Sequence, residues 1–224
     1  ASIPDAVITP EKFIPEIAGF ITEGSLRAMF FTDVGEHTFI PTRTGNYKIS
    51  VQGAGGGGSC AGFYVTSYGG GSGAFCTGWV WLNAGKEYRI IVGEGGKGLV
   101  SDESGTLISS ALEGGYSAFY DGDEELLFAE GGKINDQSGG PAVSRGGAII
   151  KCGGFPVHSE IESNDGSHFA MGASSEFGSG AIKLDMAAGI GAGGYGALRA
   201  FVTGEYLRNG GTGGNGAVLV EWVE

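Results

Sequence analysis

Two patterns of apolar and polar positions run through the chain. In its middle and at its end the period is two. Tyr47, Ile49 and Val51 alternate with Lys48, Ser50 and Gln52, as in a strand with one buried face. Phe75 to Leu82, Tyr88 to Val92, Ala118-Phe119-Tyr120, Leu126-Leu127-Phe128 and Ala217 to Val223 read as further strands. Thr38-Phe39-Ile40 approaches Pro41, and Thr44-Gly45-Asn46 reads as a turn. Asn83-Ala84-Gly85-Lys86 and Asp121-Gly122-Asp123 have hairpin-turn chemistry. No stretch carries a long amphipathic helix. The first 28 residues differ. Thr9-Pro10-Glu11 is a helix-start signal, and Pro15 limits that helix to about a turn. Ile3, Ile8, Phe13, Ile14, Ile17, Phe20 and Ile21 are more apolar bulk than so short a piece can bury alone, so it is expected to pack on another chain or on the main domain.

Glycine changes this picture. The chain has 47 glycines in 224 residues, roughly three times the ordinary ~7%. Only Gly19, Gly24, Gly35 and Gly45 precede residue 53, and paired or longer runs recur from Gly55 to Gly214. There is no strict three-residue period and only 6 prolines, which excludes collagen. Hydrophobic residues at 41% exclude a disordered polar tract. A glycine inside a regular element is destabilising by roughly 0.5–1 kcal/mol relative to alanine. Such density therefore implies positions that need a bare backbone. Two settings do: tight turns with positive φ, and extended glycine helices of polyproline-II type packed side by side. The second kind has no internal hydrogen bonds, so its N–H and C=O groups must pair with neighbouring segments. Gly210-Gly211-Thr212-Gly213-Gly214-Asn215-Gly216 has the local three-residue period of such a rod, with Thr and Asn projecting outward. The alternative is ordinary glycine turns between short strands.

Charge and motifs narrow the function. Thirteen basic against 25 acidic residues give a formal charge of −12, which lacks the basic footprint of a nucleic-acid binder and disfavours anionic membrane surfaces. The glycine-rich run from Met186 to Leu198 is too short for a spanning helix, and no signal-peptide pattern is visible. Cys60, Cys76 and Cys152 are odd in number and lack C-x-x-C spacing, so they read as buried, reduced thiols rather than a disulfide framework or a zinc site. Gly191-Ala192-Gly193-Gly194-Tyr195-Gly196 fits G-x-G-x-x-G, but at this glycine content roughly two matches arise by chance. Gly93 to Gly98 lacks P-loop spacing, and no G-x-S-x-G elbow exists. The acidic run from Asp121 to Glu125 reads as a solvated hairpin tip rather than a Ca²⁺ loop. His37, His158 and His168 share no metal-ligand spacing. No metal and no cofactor is expected.

Against that background the chain resembles the glycine-rich domain of bacteriophage tail-fibre tips and receptor-binding adhesins. A strand runs into a glycine block at Tyr47 to Gly58. A second block, Gly69-Gly70-Gly71-Ser72-Gly73-Ala74-Phe75, leads to the hairpin around Asn83. The end, Gly213-Gly214-Asn215-Gly216-Ala217-Val218-Leu219-Val220-Glu221-Trp222, closes with glycines and an apolar strand. Ile8-Thr9-Pro10-Glu11-Lys12-Phe13 is similar to an element common in phage fibre shafts and connectors. The resemblance implies a mostly β, glycine-rich domain of polyglycine-II type (residues 29–224) behind a short fibre-like connector (residues 1–28). It implies a virion protein at the distal tip of a tail fibre that meets a receptor on the bacterial outer surface. Fibres of this kind are generally homotrimers, and some related adhesins are single-copy caps.

Glycine segments would form the scaffold and side-chain-rich inserts the contact. The inserts are Phe63 to Tyr68, Leu99 to Glu113 and Phe155 to Phe177. The expected contact residues are Phe63, Tyr64, Tyr68, Phe155, His158, Asn164, His168, Phe169, Phe177 and Tyr195, because exposed aromatics supply rigid contact area. The acidity favours outer-membrane protein loops or neutral glycans over bare lipopolysaccharide phosphates. A non-catalytic attachment protein is thus expected. A purely structural trimeric knob or connector is the first alternative, and a glycan-degrading tailspike-type enzyme the second.

Overall fold

In a computed structural model the chain is described at residues 26–61, 66–102, 106–134, 142–144, 149–154, 170–182, 186–197 and 209–223. All regular structure among these residues is strand. The fourteen strands are β1 (Leu26–Phe31), β2 (Gly35–Phe39), β3 (Gly45–Gln52), β4 (Ser59–Ala61), β5 (Thr66–Tyr68), β6 (Phe75–Leu82), β7 (Tyr88–Val92), β8 (Val100–Ser101), β9 (Leu107–Ser109), β10 (Ser117–Asp121), β11 (Glu124–Ala129), β12 (Ala142–Ser144), β13 (Ile149–Lys151) and β14 (Ala217–Val223). Two five-stranded antiparallel sheets, in the orders β1-β14-β3-β6-β13 and β12-β11-β10-β7-β2, form a sandwich. Two small hairpins, β4-β5 and β8-β9, stand apart from it.

The alternation seen in the sequence fixes the faces. Tyr47, Ile49 and Val51 on β3, Cys76 and Leu82 on β6, and Val218 and Val220 on β14 point inward. They meet Phe39, Tyr88, Ile90, Val92, Phe119, Leu127 and Ala129 from the other sheet. Each large side chain so buried contributes roughly 1.5–3 kcal/mol of transfer free energy. Two buried rings find partners for their hydroxyls: Tyr47 donates to the Arg43 carbonyl at 2.9 Å, and the Tyr88 oxygen accepts from the Asn83 N–H at 3.0 Å. Both expected hairpins are present. Gly85 takes φ +74 between β6 and β7, and Gly122 takes φ +58 between β10 and β11, the left-handed conformation a tight turn requires. Asp121 pairs with Lys86, and no metal-type cluster occurs among the described residues. His37 is hydrogen-bonded to the Asp33 carbonyl at 2.6 Å. Leu26 to Ala28, which the sequence reading placed in the connector, belong to β1 and pair with Val223, Trp222 and Glu221.

The core sulfur has a chemical consequence. Cys76 is fully buried, and its thiol donates to the Phe128 carbonyl at 3.4 Å. Burial above all pushes its pKa to about 12. Cys152 is free but exposed rather than buried. Iodoacetamide at pH 8 is therefore expected to alkylate Cys152 in the native protein and Cys76 only after denaturation, as read by peptide mass mapping. The folded pKa of Cys76 lies above its unfolded value. Its stabilising contribution is thus fully present below pH 9 and is lost as pH rises through about 12.

Candidate functional site

Six strands of the sandwich continue at one end into glycine segments. β3 runs out into 53–58, β7 into 93–99 and β11 into 130–133. Segments 69–74, 111–116 and 209–216 run back into β6, β10 and β14. Segment 53–58 is the axis of this group, and it is buried throughout. Its successive N–H groups turn to three neighbours in rotation. Gly53 and Gly56 donate to Ala74 and Gly71, Ala54 and Gly57 to Gly115 and Leu112, and Gly55 and Gly58 to Gly214 and Gly211, all at 2.8–3.0 Å. Its carbonyls accept in turn from three others: Gly132 onto Ala54, Gly96 and Leu99 onto Gly55 and Gly58, and Gly194 onto Gly56.

The same three-residue rhythm recurs in segment 209–216. Gly210, Gly213 and Gly216 donate to Leu99, Gly96 and Gly93, while Gly211 and Gly214 donate to Tyr195 and Ala192. Thr212 and Asn215 are exposed, and the Asn215 Oδ1 accepts from the Gly95 N–H at 3.0 Å. These glycines are not turn residues: only Gly35, Gly85, Gly122 and Gly191 have positive φ among the described residues. They are glycine because main chain lies on main chain. A Cβ on Gly55 would overlap the Ala192 carbonyl, and one on Gly58 the Tyr195 carbonyl. Side chains enter at a few points only. Lys133, for example, clasps Glu130 at 2.6 Å and Glu113 at 2.9 Å, and the hydrogen bond to Glu130 is the main cause raising its pKa.

The end of this bundle remote from the sandwich is where the side-chain-rich inserts leave and return. Ser59 and Tyr68 are the feet of the first, and they pair with each other across β4 and β5. Leu99 and Ala111 are the feet of the second; with Ala197 they form a small apolar cluster backed by Ile134. Ala197 donates to Ser59 at 3.2 Å, Gly210 to Leu99 at 2.8 Å and Gly196 to Ala170 at 2.9 Å. The feet of the first two inserts, the return of the third at Ala170, and Ala197 and Gly210, which flank residues 198–208, are thereby hydrogen-bonded into one platform at this end. The third insert, by contrast, leaves from Gly154, which is bonded to Ser72 on the segment that runs back into β6. At this end Leu107 and Ile108 of β9 are exposed. Leu26 and Val223 pair at the opposite end of the molecule, at the far tip of β1 and β14.

The expected contact residues divide accordingly. Phe63, Tyr64, Phe155, His158, Asn164, His168 and Phe169 lie outside the described residues. Tyr68 ends β5 at the platform and is half-buried. Two expectations need correction. Tyr195 is only 5% exposed, and burial pushes its phenol to about 12; its ring fills space inside the bundle and is not presented outward. Phe177 is half-buried and stands edge-on to Phe30 and Phe75, at 5.7 and 5.6 Å. It caps the outer face of the first sheet, near Gly154, which packs beside Ser174 and is where the third insert leaves. On that same face the sequence reading missed Trp79 and Trp81, 61% and 62% exposed. The signal was available: on β6 they alternate with Gly78, Val80 and Leu82, which face the core.

No protein-family model matches the chain, and no curated protein matches it by sequence.

Proposed function

We propose that the chain is the receptor-binding tip of a bacteriophage tail fibre, an attachment protein without a catalytic role. In this reading the glycine segments are a polyglycine-II-type lattice. The three-way rotation of donors along 53–58 is what extended three-residue-per-turn helices produce when each is surrounded by others. At about 3.1 Å per residue, six such residues hold the platform roughly 19 Å from the sandwich. The segment before β1, residues 1–25, acts as the connector to the fibre, and assembly is as a homotrimer.

The observation that carries the reading is the convergence of the insert feet at Ser59, Tyr68, Leu99, Ala111, Ala197 and Asn209. It occurs on one rigid end, opposite the pairing of Leu26 with Val223. A scaffold that anchors several variable inserts side by side, with the chain entering from the other end, has the layout of a contact tip. The resemblance of the glycine blocks to fibre-tip domains supports the same assignment. The receptor is an outer-membrane protein loop or a glycan on the bacterial surface, in keeping with a charge of −12.

The test is binding of fluorescently labelled protein to a panel of Gram-negative cells, read by flow cytometry. Saturable binding to some strains is expected, lost in a Tyr64→Ala, Phe169→Ala double variant that melts like the parent. Absence of binding across the panel, or binding indifferent to both substitutions, overturns the reading and leaves a structural knob.

A further inference from the structure

The outer face of the first sheet carries features that the fold does not use. Gln52, the last residue of β3, has no solvent exposure. Its Nε2 donates to the carbonyls of Gly53, Gly73 and Ala74 at 3.2, 3.0 and 3.1 Å. Three acceptors around one atom fix the orientation of the amide. The other atom, Oε1, is buried without a partner. A buried acceptor left unpaired costs about 1–3 kcal/mol, and Gln52 lines a cleft of about 200 Å³. The cleft also has Phe75 as a ring wall, the Ser174 and Ser175 edge, and exposed Cys152 at its margin. Lys151 and Glu176 lie beside it and are bonded to each other at 3.0 Å.

The cleft is not isolated. Along β6 the outward positions run Phe75, Thr77, Trp79 and Trp81, a row of about 20 Å at ~3.4 Å per residue. The rungs beside this row are polar and mutually satisfied. Ser50 bonds Thr77 at 2.8 Å, and Lys48 bonds Glu221 at 2.9 Å. Next to them two indoles remain open to solvent. Exposed tryptophans in this number are unusual on a face with no other duty.

We propose that this cleft and the Trp79–Trp81 row form a binding site for a neutral oligosaccharide. The chemistry of each part selects that ligand. The C–H face of a pyranose is polarised positive and packs on the negative face of an aromatic ring, which suits Trp79, Trp81 and the wall at Phe75. The exposed Ser174 hydroxyl at the cleft edge, which already accepts from the Gly180 N–H at 3.2 Å, has its own O–H to donate to a sugar oxygen, and the unpaired Gln52 Oε1 lies buried behind that wall. Among the described residues of this face Lys48 is paired with Glu221 and Lys151 with Glu176, which leaves these lysines matched rather than offered to a phosphate or uronate. A volume of about 200 Å³ accommodates one sugar unit at the end of the row. The site lies on the flank of the sandwich, and its cleft reaches Gly154, where the third insert leaves. It is tested apart from the attachment reading because its readout is purified glycan rather than cells.

The full chain is applied to a printed array of neutral and acidic tetra- to hexasaccharides built from glucose, galactose and N-acetylhexosamines, with uronic acids in the acidic set. Hits are followed by calorimetry. Binding to at least one neutral member is expected. Trp79→Ala and Trp81→Ala should each weaken it at least about tenfold, and Cys152→Arg, which fills the cleft margin from an exposed position, should do the same. All three should leave the melting temperature unchanged. Binding to no neutral member, or binding that survives all three substitutions, overturns the proposal. The array decides this site, and cell binding lost on changing the inserts decides the attachment reading, so the two fail separately.

Discussion

Gly55→Ala is expected to destabilise the domain by at least about 3–5 kcal/mol, enough to unfold it or leave it marginal. Gly55 sits at the middle of the axial segment, with its N–H bonded to Gly214 at 2.8 Å and its carbonyl bonded by Gly96 at 2.8 Å. The added methyl would occupy the position of the Ala192 carbonyl group. Ordinary overpacking is relieved by side chains that rotate, at a cost of about 1–3 kcal/mol. Here the obstructing atoms are main chain, and Ala192 is itself held: its carbonyl accepts from Gly214, and its N–H donates to Gly189 at 3.0 Å. Relief therefore requires separating segments and breaking several hydrogen bonds at once. The matched control is Gly45→Ala at the start of β3. That position has negative φ and open space where the methyl would go, so stability should change by no more than about 0.5 kcal/mol. Urea denaturation of both variants measures the contrast. A Gly55→Ala protein as stable as the Gly45→Ala protein would mean that the axial segment is not packed as described.

Phe119→Ala is the second large effect, with an expected loss of about 3–5 kcal/mol. Phe119 on β10 is fully buried and stacks on Tyr88 of β7 with ring centroids 5.7 Å apart and planes 19° from parallel. Its removal opens a cavity between the sheets and leaves Tyr88 without its ring neighbour, while the Tyr88 oxygen remains tied to the Asn83 N–H. The sandwich cannot collapse freely into that space, because β7 and β10 continue into segments 93–99 and 111–116, which are hydrogen-bonded to each other through Leu112 and Gly115. Chemical denaturation should show a lower midpoint with an unchanged slope. A loss under about 1 kcal/mol would indicate that the two sheets are not packed on each other there.

Much of the sandwich is legible in the sequence because its strands alternate. β3, β6, β7, β10, β11 and β14 all follow from the two-residue period and from turn residues at Gly85 and Gly122. β1 does not. Leu-Arg-Ala-Met-Phe-Phe has apolar residues on both faces, since Phe30 lies on the side capped by Phe177 while Phe31 packs toward Phe39. Without polar alternation it reads as a continuation of the apolar connector. β13 is three residues long and depends on pairing with Thr77, Cys76 and Phe75, a partner no local pattern announces.

The glycine bundle is half legible. The period of 210–216 is written in the residues, but the identity of each neighbour is not, because glycine carries no side chain to encode its partner. The choice of Tyr195 as a contact residue failed for a related reason. Among glycines an aromatic looks like decoration, whereas here the backbone of segment 189–197 turns its ring into the bundle. Gln52 gave no signal at all: it continues the polar positions of β3, and its burial arises only because Gly191 and the returning segment 69–74 close over it.

Amide hydrogen exchange in the uniformly ¹⁵N-labelled protein tests the glycine scaffold most directly. If 53–58 is a hydrogen-bonded axis, the N–H groups of Gly55, Gly56, Gly57 and Gly58 should exchange only through global unfolding, with protection equal to that of Ile49 and Val220 in the core. Exchange of those four amides within minutes, at the rate of an exposed glycine loop, while the strands stay protected, would contradict it.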